Sequence, residues 1–152
     1  MLEPRQQIGE VGVDSGQLVI CDPCYIDSEW DIEEFTMDQR FKSACTGKVY
    51  TFGEDFKNFE QPMGDHDGQT PNELCASKNW VKLEPLPAKK AFSYNACCKA
   101  TTSNGGTGQL KYKKGHDGVG VVFRSGYGDG VYPVYAEKNE EGRVVRVTIE
   151  ME

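Results

Sequence analysis

Alternating apolar and polar residues mark both ends of the chain as β-structure. Residues 8–22 alternate on both sides of a turn at Gly16, which predicts a β-hairpin. Three more alternating runs follow near the C-terminus, at 118–126, 128–138 and 142–151. The turn at residues 139–142 separates the last two of these runs and predicts a second hairpin.

The middle of the chain mixes helical and strand patterns. Apolar residues spaced among acids predict a helix over 28–44. A capping box from Thr70 to Glu73, with Pro71 in the first helical position, predicts a short helix that ends near Lys78. Acids and chain breakers in residues 53–73 indicate a long exposed loop. The remaining predicted strands are 48–52, 80–86, 91–103 and 109–113.

These patterns predict an α+β fold in a single domain, residues 1–152. We expect a mainly antiparallel, twisted sheet or a partly closed barrel, with one principal helix packed on it. An offset of 110 residues aligns VGVDSGQLVICDPCY with VVFRSGYGDGVYPVY at five identical positions. We interpret this echo as two similar strand-turn-strand elements.

The charge of the chain is distributed unevenly. The net charge of -7 argues against a partner made of duplex nucleic acid, because such proteins need a dominant positive surface. Residues 78–114 nevertheless carry eight lysines and one acid, Glu84. Two interpretations stay open for this basic island: a solvated lysine face neutralised by acids elsewhere, or a patch that attracts a small anionic ligand.

Several functional classes are disfavoured by composition. No stretch is apolar enough to span a bilayer, so no membrane association is expected. The N-terminus lacks a signal-peptide pattern, which predicts a cytoplasmic protein with six free thiols. The pair Cys21 and Cys24 has no second CxxC, and Asp22 between them opposes thiolate formation, so we expect neither a metal nor another cofactor.

An enzyme is the weaker alternative, and the sequence favours a protein without catalysis. Asp22, Cys24, His116 and Asp129 could serve a hydrolase or a metal-dependent enzyme. Neither Ser15 nor Ser125 lies in a G-x-S-x-G elbow, however. The tripeptide His-Asp-Gly occurs twice, but Asp-Gly is also a common turn dipeptide.

The stretch VFRSGYGDGVYPVY, residues 122–135, is the main candidate for a ligand loop. Tyrosines offer stacking faces for a base, an arginine matches phosphate, and glycines allow close backbone approach. A plain glycine-rich corner of a sheet explains the same residues, and both interpretations stay open. The candidate ligand-binding residues are Ser15, Tyr25, Lys111, Lys113, Lys114, Arg124, Ser125, Gly126, Tyr127, Asp129 and Tyr132.

The segments VGVDSGQ, DPCY and SGYGDGVYPVY resemble a bacterial and bacteriophage family of small domains catalogued as a domain of unknown function. The resemblance covers the two ends of the chain and leaves residues 30–110 unmatched. It implies a bacterial or phage origin, with the host cytoplasm as the location if a phage encodes the protein. It implies no reaction.

The leading hypothesis is therefore a binding protein for an anionic, nucleotide-like ligand. One form of it is a phage sponge that sequesters a cyclic nucleotide or an ADP-ribose-type immune signal, an anti-defence role. A third hypothesis is a protein-interaction module that uses the acidic N-terminal half as its contact surface. The sequence leaves open whether the protein is a homo-oligomer.

Overall fold

A computed structural model describes residues 2–152. The strands, in chain order, are β1 (Gln6–Val13), β2 (Gln17–Cys21), β3 (Arg40–Ser43), β4 (Val49–Thr51), β5 (Trp80–Lys82), β6 (Thr107–Lys111), β7 (Asp117–Arg124), β8 (Gly130–Lys138) and β9 (Val144–Ile149). The helices are α1 (Cys24–Ser28), α2 (Pro71–Ala76) and α3 (Tyr94–Ser103), with a 3-10 turn at Gly64–His66.

The strands form three antiparallel sheets of three strands each, in the orders β1-β8-β9, β2-β7-β6 and β4-β3-β5. The predicted α+β class with mainly antiparallel pairing is confirmed. A single twisted sheet or partly closed barrel is not confirmed, because none of these small sheets is closed.

The chain divides into two compact units. The first unit combines the residues up to Glu33 with Lys89–Glu152, and the second unit is Glu34–Ala88. The first unit therefore contains the sheets β1-β8-β9 and β2-β7-β6 together with α3. This division into units does not test the single domain expected from the sequence, which stays a prediction.

The two elements that echo each other at an offset of 110 residues pair crosswise. The corner after β1 leads into β2, and the corner after β7 leads into β8, but β1 pairs with β8 and β2 with β7. The predicted hairpin over residues 8–22 is therefore wrong in its pairing, although both strands and the turn exist. The turn bonds to the other corner instead: the Gly16 carbonyl accepts from the Ser125 N–H at 2.9 Å.

Two local predictions are confirmed. β8 and β9 form the C-terminal hairpin, and the Asn139 side chain accepts hydrogen bonds from the N–H groups of Glu141 and Arg143 in its turn. α2 has the capping box: the Thr70 hydroxyl accepts from the Glu73 N–H and the Glu73 carboxylate accepts from the Thr70 N–H. The helix ends at Ala76, two residues before the predicted end.

The helix predicted over residues 28–44 is wrong. α1 ends at Ser28, and no regular structure follows until β3. The acids of this segment bond to backbone groups distant in sequence: Glu33 accepts from Lys89 and Lys90, and Asp38 accepts from Leu86. Such side-chain bonds compete with helical hydrogen bonding. Of the apolar residues that suggested the helix, Ile32 is 93% exposed, whereas Phe41 lies in β3 and is buried in a core.

A single principal helix is not confirmed, and the longest helix of the described residues lies where a strand was expected. Residues 91–103 read as a strand, but Tyr94–Ser103 is α3. Its start is fixed by Ser93, whose hydroxyl accepts from the Ala96 N–H at 3.1 Å. α3 packs on β6 and β7, and Gly108 in β6 allows the close approach of Ala100.

The second unit is built around an aromatic core. Its buried residues are Phe41, Tyr50, Phe56, Met63, Leu74 and Trp80. Most of residues 53–73 are exposed, as expected of a long exposed loop, but Phe56 is 1% exposed and Met63 is also buried. Burial of these two side chains ties an otherwise irregular, acid-rich segment to the core.

Candidate functional site

The candidate ligand-binding residues fall into two groups at opposite ends of β7. One group lies at the β7–β8 corner and the facing β1–β2 turn. The other lies at the β6–β7 turn and on α1. Eight residues of extended strand separate the two ends by about 24 Å. One small ligand therefore cannot contact both groups.

The corner group forms hydrogen bonds mainly within itself. The hydroxyls of Ser125 and Tyr132 both donate to the Gly128 carbonyl, at 2.6 Å and 2.8 Å. The Asp129 carboxylate accepts from the Gly16 N–H at 2.8 Å. A Cβ on Gly126 would lie 2.8 Å from the Met151 carbonyl oxygen, so this position has no room for a side chain. These contacts support the interpretation of this stretch as a sheet corner.

Five of the candidate residues at the corner are exposed to solvent: Ser15, Arg124, Gly126, Tyr127 and Asp129. Tyr127 is 83% exposed. The aliphatic part of Arg124 lies over Gly106, where a Cβ would be 3.4 Å from Cδ of the arginine. Arg124 and Tyr127 are thus the groups that the corner itself does not use.

The second group surrounds the β6–β7 turn. Tyr25 of α1 packs edge-on against Tyr112 with 5.1 Å between ring centroids, and Tyr112 stacks on His116 at 4.3 Å. A hydrogen bond to Tyr112, more than burial, raises the pKa of Tyr25 to about 12. Lys111 is paired with Asp117 at 2.9 Å. Tyr25 and Lys111 are therefore engaged in the structure of the turn.

A cleft opens beside this turn in the first unit. Its volume is about 440 Å³, within the range of small-molecule sites. It is lined by Asp31, Lys89, Lys90, Ala91 and Lys113, and we call it the lysine cleft. Of the candidate residues, Lys113 lines it, and Lys114 is the next residue along the exposed turn.

The three lysines of the lysine cleft differ in their partners. The Lys113 ammonium donates to the Ser28 carbonyl at 2.9 Å and lies 3.7 Å from the Asp31 carboxylate. Within residues 2–152, the ammonium groups of Lys89 and Lys90 form no ion pair. The lysine cleft therefore contains two cations available to a ligand and one that is already oriented.

Glu33 anchors the loop that carries two of these lysines. Its carboxylate accepts from the consecutive N–H groups of Lys89 and Lys90, at 2.9 Å and 3.0 Å, and from the Ser93 hydroxyl at 3.1 Å. Burial acts to raise the pKa of Glu33, but these hydrogen bonds outweigh it and hold the pKa below its ordinary value. The carboxylate is thus bound in its ionised form.

The thiols and the residues of the enzyme alternative do not form a recognisable centre. Asp22 accepts from the Cys24 N–H at 2.9 Å, and its hydrogen bond to the thiol raises the pKa of Cys24. His116 and Asp129 lie at opposite ends of β7. In the described part of the chain, no three His, Cys, Asp or Glu side chains are grouped to hold a metal ion.

The second unit contains a polar network that sequence reasoning missed. The Tyr50 hydroxyl donates to Asp65 at 2.6 Å and lies 3.0 Å from Nε2 of His66. The Trp80 indole donates to the same Nε2 at 3.3 Å. Burial, followed by the bond to Asp65, raises the pKa of Tyr50 to about 12. The network satisfies polar groups of a buried aromatic core, and no periodicity in the sequence marks it.

Comparison with known proteins gives a family. The family model described as "Protein of unknown function (DUF4241)" matches residues 6–149, nearly the whole chain. The chain belongs to this family. Membership of a domain-of-unknown-function family, expected from the two ends of the chain, is thereby confirmed. No curated protein and no solved structure matches the chain. Over residues 2–152, no helix has the length and apolar character needed to cross a bilayer.

The lysine cleft uses residues that the candidate list lacked. Lys89, Lys90 and Asp31 line it, but none was among the predicted ligand contacts. The signal that could have found the first two was the basic island at residues 78–114, which contains both. Asp31 lies in the segment expected to be helical, and its role depends on that segment being irregular.

Proposed function

We propose that this member of the family is a non-enzymatic binding protein for a small anionic, nucleotide-like ligand, held in the lysine cleft. The observation that carries the proposal is a cleft of about 440 Å³ lined by three lysines, two of which form no ion pair within residues 2–152. Opposed cations in a concave site raise the local concentration of anions even when the protein as a whole is acidic.

The chemistry of the lining favours a phosphorylated ligand that also carries hydroxyl groups. Lys89 and Lys90 offer mobile ammonium donors to phosphate oxygens. Asp31 offers a carboxylate that can accept hydrogen bonds from a sugar, as acidic residues do in dinucleotide sites. The exposed His116, stacked on Tyr112 close along the chain to Lys113, offers a face on which a base can stack.

We propose that the protein sequesters its ligand and does not convert it chemically. Cyclic nucleotides and ADP-ribose derivatives combine phosphate, ribose hydroxyls and a base, which is the chemistry that the lysine cleft would recognise. A phage-encoded protein of this kind would act as a sponge for an immune signal in the host cytoplasm. The ligand recovered after denaturing the complex should then be chemically intact, whereas an altered ligand would indicate an enzyme.

The test is a binding screen with charge-matched variants. Wild-type protein is examined by thermal shift and calorimetry against pyrophosphate, ADP-ribose and cyclic dinucleotides, because a ligand that binds the native state raises its apparent stability. The double variant Lys89→Gln/Lys90→Gln should lose binding. The control Lys57→Gln/Lys82→Gln removes the same charge from exposed positions in the second unit and should retain it.

Two results would overturn the proposal. One is that no compound in the screen stabilises or binds the wild-type protein. The other is that the control variant loses as much affinity as the cleft variant. The loss would then depend only on the net charge of the protein. Arg124→Gln extends the test to the corner: a loss confined to this variant would assign the ligand to the β7–β8 corner instead.

A further inference from the structure

The loop from Lys89 to Ser93 is shaped by a single carboxylate. Glu33 accepts hydrogen bonds from two successive backbone N–H groups of this loop and from the hydroxyl of Ser93, which also caps α3. The backbone carbonyl of Glu33 accepts in addition from the Asn95 N–H at 3.2 Å. Four contacts therefore bind Glu33 to the chain between Lys89 and Asn95.

These contacts determine the backbone conformation from which the side chains of Lys89 and Lys90 extend. Lysine side chains are long and flexible. The region that their ammonium groups can reach therefore depends on the direction in which the side chain leaves the backbone. Two successive N–H groups that point to one carboxylate fix that direction for Lys89 and Lys90 together. Since Lys90 and Lys89 line the cleft from neighbouring positions, a change in this backbone would move both cations.

We propose that Glu33 is the positioning residue of the lysine cleft, holding the backbone of Lys89 and Lys90 so that both ammonium groups reach one anionic ligand. This inference rests on the proposed function and adds a residue to it. Glu33 does not line the cleft, and it acts through the loop to which it is bonded.

The proposal makes a prediction that simple electrostatics contradicts. A carboxylate close to a cationic cleft repels an anionic ligand, so removal of its charge should by itself strengthen binding. If Glu33 positions the lysines, its removal should weaken binding in spite of the reduced repulsion. The sign of the change therefore separates the two effects.

The experiment compares Glu33→Gln with Glu34→Gln by calorimetric titration with pyrophosphate. The two variants remove the same charge from adjacent positions, but it is Glu33 whose carboxylate accepts from the N–H groups of Lys89 and Lys90 and from the Ser93 hydroxyl. Glu33→Gln should bind pyrophosphate about tenfold more weakly, because the backbone that carries Lys89 and Lys90 must then be ordered on binding in addition to their side chains. Glu34→Gln should bind as tightly as wild type, or slightly more tightly.

Two further measurements distinguish a positioning role of Glu33 from a purely structural role. Titrations are made at a temperature at which circular dichroism shows each variant fully folded, so that loss of stability does not count as loss of affinity. The effect of Glu33→Gln should also shrink in a Lys90→Gln background, since one of the two positioned cations is then missing. If Glu33→Gln does not fold, Glu33→Asp is used, whose shorter side chain cannot reach both N–H groups.

The outcomes are distinct. Absence of pyrophosphate binding by the wild-type protein overturns the proposed function, and this inference with it. Binding by the wild-type protein that a folded Glu33 variant retains or exceeds overturns this inference alone and leaves the lysine cleft intact. A loss in Glu33→Gln that Glu34→Gln does not share supports the positioning role.

Discussion

Replacement of Gly108 by alanine tests how closely α3 packs on β6. An ideal Cβ at Gly108 would lie 2.5 Å from Cβ of Ala100 and 3.3 Å from its Cα and carbonyl carbon. Carbon atoms in favourable contact are about 3.5–4.0 Å apart, so the helix or the strand must move by roughly 1 Å. Because part of the obstacle is helix backbone, no side-chain rotation can relieve it.

The size of the effect follows from two opposing contributions. Overpacking of this kind costs about 1–3 kcal/mol in the free energy of unfolding. Alanine in place of glycine in a strand returns about 0.5–1 kcal/mol by restricting the unfolded chain. Gly108→Ala should therefore lower the free energy of unfolding by up to about 2.5 kcal/mol, and the midpoint of about 1.3 kcal/mol lowers Tm by about 3–5 °C for a chain of this length.

Gly12→Ala is the matched control. Gly12 also lies in a strand, but a Cβ there has no atom within 4 Å, and its φ lies outside the positive range. This variant should be as stable as wild type or slightly more stable. The difference between the two variants isolates the overpacking, and it is measured by thermal and urea unfolding followed by circular dichroism. Equal stability of the two variants would refute the close packing of α3 on β6.

Three further predictions concern stability and reactivity. Since burial and a hydrogen-bonded carboxylate raise the pKa of Tyr50 to about 12, its contribution to stability is complete below about pH 10 and is lost as the pH rises towards 12. Tyr50→Phe should flatten that decline in unfolding experiments. Burial raises the pKa of Cys97 to about 11, so iodoacetamide at pH 8 should label the exposed Cys45 first, and mass spectrometry should find Cys97 labelled only after unfolding. Equal native labelling of both thiols would contradict the structure. Tyr127→Ala should change the free energy of unfolding by less than about 0.5 kcal/mol, whereas Tyr132→Ala should cost about 3–5 kcal/mol; similar losses would contradict the different burial of the two rings.

Local patterns predicted local structure well. The capping box at Thr70, the Asn139 turn and the terminal alternating runs all correspond to observed elements, since each depends on residues close in sequence. Strand partners depend on contacts distant in sequence. β1 and β2 were recognised as strands, yet their partners β8 and β7 lie more than a hundred residues away, and no alternation encodes that choice.

The errors in the middle of the chain have a common physical cause. Glu33 and Asp38 suggested an acidic helix, but their carboxylates bind backbone N–H groups of a segment some fifty residues further on. Residues 91–103, which follow Lys90 directly, were assigned to a strand, although Ser93 supplies the cap of a helix. The hydrogen bonds that shape each of these two segments therefore come partly from the other segment. The propensity of either segment alone could not identify its structure.

The segment SGYGDGVYPVY, one of those that suggested the family from the sequence, mainly closes the corner. Ser125, Asp129 and Tyr132 within SGYGDGVYPVY are engaged in hydrogen bonds at this corner or to the facing turn. The lysine cleft draws Lys89 and Lys90 from a part of the chain outside that segment. The residues of this segment therefore serve the fold of the corner, whereas the proposed ligand would depend on residues outside the segment. If the proposed function is right, a relative should bind the same class of ligand only if it also has lysines at positions 89 and 90 and a carboxylate at position 33.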